Sequence, residues 1–318
     1  MWDNKLKSMN GSLSGVLVPA VTPFDRRLAP NEKRFGAYCR WLLDHGADGL
    51  AVFGTTSEAN SLGLAERQSL LERLVEAGID PAKLLPGTGL CALPETVALT
   101  RHAVGLGCAG VLMLPPFYYK NVSDDGLVAA YSETIERVGD PRLRVYLYHI
   151  PQMSGVPLAL GVIERLLRKY PDTVVGLKDS SGNWEGTKAI LKAFPQMTVF
   201  PATESRLLEG MALGAAGCIS ASANMNIVMI RALIDAIRGQ DKSAGEMQGR
   251  VSAIRHAMEK FPVVPAIKAL FAQASNAPDW AIVRPPLMAL ATPVLENLNK
   301  ELAQAGFGAG AAFRGLPS

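Results

Sequence analysis

Eight short apolar runs alternate with stretches of helical periodicity, and this alternation constrains the fold more than any other feature of the chain. The runs are 15–20, 49–53, 84–87, 110–114, 144–148, 174–178, 198–201 and 217–220. Between them lie amphipathic segments at 31–45, 64–77, 94–105, 123–138, 160–169, 184–193 and 204–213. Strand-like runs separated by helical patterns indicate βαβ units and a parallel sheet. Eight such units predict an α/β fold closed into a (β/α)8 TIM barrel. The alternative is an open doubly wound sheet, but no run is followed by the glycine fingerprint of dinucleotide binding.

Beyond about Ile227 the strand pattern stops. Segments 229–238, 245–260 and 265–274 read as helices, and Pro285-Pro286 opens another through 287–298. The expected organisation is a barrel carrying the active site at 13–228 and a C-terminal helical appendage at 229–305. Residues 1–12 and the glycine- and alanine-rich 306–318 are expected to be flexible ends.

Composition narrows the function classes. With 318 residues, 48% hydrophobic, and a net charge of +3, the chain suits one large domain with an appendage. No basic stretch is dense enough for a nucleic-acid partner. No apolar run reaches the roughly 18 residues of a membrane helix, and the first residues lack the apolar core of a signal peptide. A cytoplasmic protein is expected. Cys39, Cys91, Cys108 and Cys218 are far apart among apolar or small neighbours, and four histidines show no ligand spacing. No disulfide framework, metal site or cofactor is expected.

Lys178 stands out within this frame. It ends the run Thr173-Val174-Val175-Gly176-Leu177 and precedes the polar turn Asp179-Ser180-Ser181-Gly182. This pattern places an amine at the carboxyl end of a buried strand, the end at which barrels of this type carry their chemistry. A buried ammonium is costly unless it is paired or gives up its proton. A lysine that loses its proton easily attacks ketones and forms Schiff bases. The other reading is a lysine snorkelling to solvent.

The remaining strand ends supply companions. The second run ends in Gly54-Thr55-Thr56-Ser57-Glu58, whose hydroxyls and successive N–H groups suit a carboxylate, or a plain helix cap. The fourth ends in Pro115-Pro116-Phe117-Tyr118-Tyr119-Lys120, a stiff loop that serves either packing and subunit contact or delivery of a phenol. The fifth ends in Tyr148-His149-Ile150-Pro151. Adjacent barrel strands lie about 4.8 Å apart, so Tyr148 and Lys178 are expected to face one pocket, with the phenol as proton relay. His149, one position on, points the other way.

Together these pieces resemble the dihydrodipicolinate synthase / N-acetylneuraminate lyase family of class I aldolases. The matching segments are Pro19-Ala20-Val21-Thr22-Pro23-Phe24, the 54–58 loop, the 115–119 loop, Tyr148-His149-Ile150-Pro151, and Gly176 through Gly182. Gly217-Cys218-Ile219-Ser220, Pro265-Ala266-Ile267-Lys268-Ala269-Leu270 and Arg284-Pro285-Pro286-Leu287 complete the set. The resemblance implies that Lys178 forms an imine with pyruvate or another 2-oxo acid, that Tyr148 relays protons, and that Thr55 hydrogen-bonds it. It implies a carboxylate cradle at Thr56 and the adjoining Gly54 backbone, and an Ile219 carbonyl facing the lysine. Tyr118 is expected to reach a neighbouring subunit's site, which implies a homo-oligomer, a dimer of dimers.

The family pattern also breaks. The resemblance puts an arginine for the carboxylate of aspartate semialdehyde at position 153, where this chain has Met153; a thioether does not pair with a carboxylate. At the positions that hold the sialic acid tail in the lyase branch stand Thr203, Glu204 and Ala221, and only Glu204 keeps the acid; Ser180 and Thr203 remain hydroxyl contacts. The favoured reading is aldol cleavage or dehydration of a 2-keto-3-deoxy sugar acid. The alternatives are a dihydrodipicolinate synthase, an N-acetylneuraminate lyase-like activity and, from another class, a non-catalytic 2-oxo acid binding protein.

Overall fold

The computed structural model describes residues 13–318. Seven strands form among the described residues, β1 Gly15–Val18, β2 Gly49–Leu50, β3 Val111–Met113, β4 Val145–His149, β5 Val174–Asp179, β6 Thr198–Pro201 and β7 Gly217–Ile219. All pair in parallel, in the orders β2-β1-β7 and β3-β4-β5-β6. Two connections close them into a ring. Residues 84–87, expected as a strand, form a stave by single bridges, Leu50 to Leu84 and Gly87 to Leu112. At the other seam the Ala216 N–H donates to the Val199 carbonyl at 2.9 Å. The eight runs thus become eight staves, although 84–87 is too irregular for a full ladder.

The outer ring is α1 Glu32–Asp44, α2 Leu64–Glu76, α3 Leu93–Gly105, α4 Asp124–Val138, α5 Leu160–Lys169, α6 Trp184–Ala193, α7 Leu207–Ala212 and α8 Ala223–Arg238. Side-chain oxygens of Asn31, Ser123 and Asn183 accept the N–H groups of Arg34, Gly126 and Gly186 at the starts of α1, α4 and α6, satisfying donors that a helix start leaves free. Strand alternation divides the core. Leu17, Leu112, Tyr146, Tyr148, Phe200 and Ile219 fill the barrel interior. Val16, Val111, Leu147 and Leu177 pack outward against the helices. Gly176 is required for this filling: a Cβ there would lie 2.2 Å from the Tyr146 ring.

Helices α9 Ala244–Glu259, α10 Val263–Ser275 and α11 Thr292–Gln304 form the appendage. Three expectations change. The 228/229 boundary falls inside α8, which bends at Asn226 (φ −120°, ψ 28°). The helix expected from Pro285-Pro286 starts instead at Thr292; proline disfavours helical backbone in the residue before it, and the Arg284 N–H is committed to the Glu58 carboxylate. The tail 306–318, expected as a flexible end, is packed: Phe313 is buried edge-on to Phe271, and the indoles of Trp41 and Trp280 donate to the carbonyls of Arg314 and Pro317. The apolar residues within the glycine- and alanine-rich tail account for this. The other expected flexible end, 1–12, lies outside the described residues.

Candidate active site

The register of β4 against β5 sets Tyr148 directly beside Lys178 and His149 beside Asp179. Lys178 is 4% exposed. Its Nζ lies 3.2 Å from the Tyr148 hydroxyl and 4.3 Å from the ring centroid. The hydroxyl lies 3.3 Å from Thr55 Oγ1, so amine, phenol and threonine form one chain. Burial alone would raise the Tyr148 phenol. The Lys178 charge and the hydroxyls of Thr55 and Ser180 outweigh burial and hold it below its ordinary value. His149 turns away, its Nδ1 accepting the Leu158 N–H at 3.1 Å. Burial lowers its pKa, with Asp179 opposing.

The chain faces a cavity of about 490 Å3 at the strand ends. Of the expected residues, Thr55, Thr56, Tyr148, Lys178, Ser180, Thr203 and Ile219 line it. Among the described residues no backbone acceptor takes the N–H of Thr55 or Thr56, which leaves both donors available to an oxyanion. Gly54 shapes the turn rather than the wall: its carbonyl accepts from Ser57 and Ala59.

Three further expected residues do not line this cavity. Met153 is 66% exposed and off the cavity wall; it sits on the short helical turn Pro151–Ser154, which carries its side chain outward. Tyr118, expected to serve a neighbouring subunit's site, is 74% exposed and edge-to-face with the equally exposed Tyr119, and it does not line this chain's cavity. Glu204 is wholly buried behind the wall, where Ser220 and Ser222 donate to its carboxylate; a buried carboxylate needs such partners. It thereby backs Arg255, whose Nη1 lies 3.9 Å from it.

Sequence reasoning missed the far wall, which helices supply. Arg255, His256 and Glu259 come from α9 and Trp184 from α6. The Arg255 guanidinium pairs with Glu259 at 2.7 Å and donates to Ser220 and Ser222. Burial works against its charge, and Glu204 and Glu259 prevail, raising its pKa. Arg206 lies over the Trp184 ring at 5.7 Å and pairs with Glu209 at 3.4 Å. An arginine one turn before a glutamate on α9 was the available signal, but nothing in the sequence says that this turn meets the barrel mouth. No group of metal-ligating side chains occurs among the described residues.

A parallel barrel with its cavity at the carboxyl ends of the strands is an enzyme architecture. The chain belongs to the dihydrodipicolinate synthetase family, whose model matches residues 12–305. It is 36% identical over 278 residues to a protein of Chloroflexus aurantiacus described as an uncharacterized DapA-like lyase, covering 87% of this chain and 91% of that one. The dihydrodipicolinate synthase of Agrobacterium tumefaciens superposes with a TM-score of 0.81 at 31% identity, over 96% and 99% of the two chains. YagE of Escherichia coli K12, described as a family member in complex with pyruvate, superposes with a TM-score of 0.84 at 25% identity, over 92% and 98%. The protein is a lyase of the class I aldolase type with a TIM-barrel fold. No helix among the described residues is long and apolar enough to cross a membrane.

Proposed function

We propose that the protein cleaves or dehydrates a 2-keto-3-deoxy sugar acid through an imine on Lys178. The observation that carries this reading is the far wall of the cavity. Its two arginines arrive already matched, Arg206 by Glu209 and Arg255 by Glu259 and the buried Glu204. A wall of paired donors and acceptors suits hydroxyl groups; a second carboxylate meets no uncompensated cation there. The exposed Met153 adds none. Both features weigh against condensation with aspartate semialdehyde.

The chemistry follows from the chain of hydroxyls. The Thr55 and Thr56 N–H groups hold the substrate carboxylate. The Lys178 amine adds to the C2 ketone, and loss of water leaves a protonated imine that accepts an electron pair. In cleavage, Tyr148 takes the proton of the C4 hydroxyl, the C3–C4 bond breaks, and an aldehyde leaves an enamine behind. Protonation at C3 and hydrolysis then release pyruvate. In dehydration, a C3 proton is lost first and the C4 hydroxyl departs as water. The exposed Tyr118 and Tyr119 phenols support an assembly in which a second copy covers them, a dimer or dimer of dimers. Four free cysteines are in keeping with a reducing cytoplasmic setting.

The test is borohydride reduction in the presence of pyruvate, with peptide mass spectrometry, followed by a screen of 2-keto-3-deoxy acids for pyruvate release or dehydrated product. An adduct on Lys178 together with turnover of such an acid supports the reading. Condensation of pyruvate with aspartate semialdehyde, and no turnover of any sugar acid, would overturn it.

A further inference from the structure

The turn proposed to hold the substrate carboxylate is itself held from outside the barrel. Glu58 closes that turn in a left-handed conformation, φ 57° and ψ 35°, which a residue with a side chain keeps only where its surroundings enforce it. The Glu58 N–H donates to the Thr55 carbonyl at 3.1 Å, so its backbone and the Thr55–Thr56 donors move together. On the barrel side, Thr22 Oγ1 donates to the Ser57 carbonyl at 2.8 Å and Ser57 Oγ to the Ala20 carbonyl at 2.6 Å.

The Glu58 carboxylate is taken by the appendage. Lys268 of α10, wholly buried, gives its ammonium to Glu58 Oε1 and to the Ile282 carbonyl at 2.8 Å. The Arg284 N–H donates to Oε2 at 3.0 Å. The Arg284 guanidinium continues to the Ser61 carbonyl at 2.6 Å and to Glu66 in α2 at 2.7 Å. Both cations lie over the Phe24 ring, at 4.4 and 4.7 Å. Neither Glu58 nor Lys268 lines the cavity, so neither meets substrate. An ion pair this deep adds little net stability over apolar residues of the same shape; what it does impose is a geometry on the turn.

We infer that Glu58 and Lys268 are positioning residues through which the C-terminal helices fix the carboxylate-binding turn and thereby set affinity for the 2-oxo acid. The inference rests on the 2-oxo acid reading above. The larger effect is on binding, because Lys178 and Tyr148 stand on β5 and β4, which the pair does not touch; the imine step feels the turn only through the Thr55 hydroxyl at Tyr148.

The experiment measures borohydride trapping of pyruvate against its concentration in wild type, Glu58→Gln, Lys268→Met and the double variant, alongside thermal melting. Each single variant leaves one buried group without its partner and is expected to melt lower. The double variant removes both charges and is expected to recover much of the melting temperature. Its half-saturating pyruvate concentration is expected to stay raised, about tenfold or more, while the maximal trapping rate changes less. Recovery of both melting temperature and half-saturation to wild-type values would overturn the inference and leave the pair purely structural. A wild type that, while folded, traps neither pyruvate nor a 2-keto-3-deoxy acid overturns the 2-oxo acid reading and the inference with it.

Discussion

Two lysines are buried among the described residues, and they differ in everything but burial. Lys178 is 4% exposed, touches a phenol and faces a cavity of about 490 Å3. Lys268 is wholly buried and has a carboxylate and a carbonyl on its ammonium. Burial pushes the Lys268 pKa down to about 8, against the pull of Glu58. A depressed pKa alone therefore does not mark a nucleophile. Access decides: a ketone can reach Lys178, and nothing reaches Lys268. Perturbed groups occur in structural ion pairs as well as in active sites.

Substitution is expected to separate the two lysines cleanly. Lys178→Ala should lower turnover on the order of 10^4-fold or more, with melting unchanged or raised, since a buried amine is removed from a cavity wall; activity within tenfold of wild type would dissolve the contrast. Tyr148→Phe should cost about 10^2- to 10^4-fold in kcat, with the Lys178 adduct still trapped, more slowly. Lys268→Met should act on the other property. Leaving the Glu58 charge unpaired costs about 3–5 kcal/mol of stability, read by denaturant unfolding, and a loss below about 1 kcal/mol would mean that Arg284 alone satisfies Glu58.

Smaller effects sharpen the contrast through pH. Thr55 and Lys178 help hold the Tyr148 phenol below its ordinary value. Thr55→Val removes one group that favours the phenolate, so the alkaline limb of the turnover profile should move to higher pH; a shift downward would mean that Thr55 acts chiefly as acceptor. Near Lys268, the hydrogen bond from Arg284 lowers the Glu66 pKa. A carboxylate with a depressed folded pKa contributes stability above its unfolded value, about 4.3, and loses it as pH falls through the folded value. Melting of wild type and Glu66→Gln should therefore converge in acid, the smallest change of the set because the side chain is one-third exposed.

Much of the barrel was legible because its signals are local. Each apolar run carries its own strand, and alternation along 174–178 and 144–148 turned Lys178 and Tyr148 to one side and His149 to the other. The stave 84–87 was found in place but not as a ladder, since one regular neighbour at each end is all it pairs with. What stayed hidden depends on separation in sequence. Glu58 and Lys268 lie 210 residues apart, and no periodicity joins them. Arg255 reads as one more charged helix position until α9 is laid across the mouth. Met153 was located by counting from Tyr148, but the count could not tell that the helical turn at 151–154 carries the side chain outward. The buried tail shows the same limit: glycine and alanine dominate its composition, while Phe307, Phe313 and Leu316 decide its packing.

The seam at β1 has a consequence for the order of synthesis. Gly15 pairs with Gly217, and the Trp41 indole waits for the carbonyl of Arg314. At the usual 5–20 residues per second, roughly 10–40 s pass between the emergence of β1 and that of β7. During that interval the nascent sheet has β2 on one side of β1 and an open edge on the other. An open edge is a template for any extended segment that arrives first, so β1, the strand on which the ring closes, is also the one most exposed to mispairing while the ribosome is still at work.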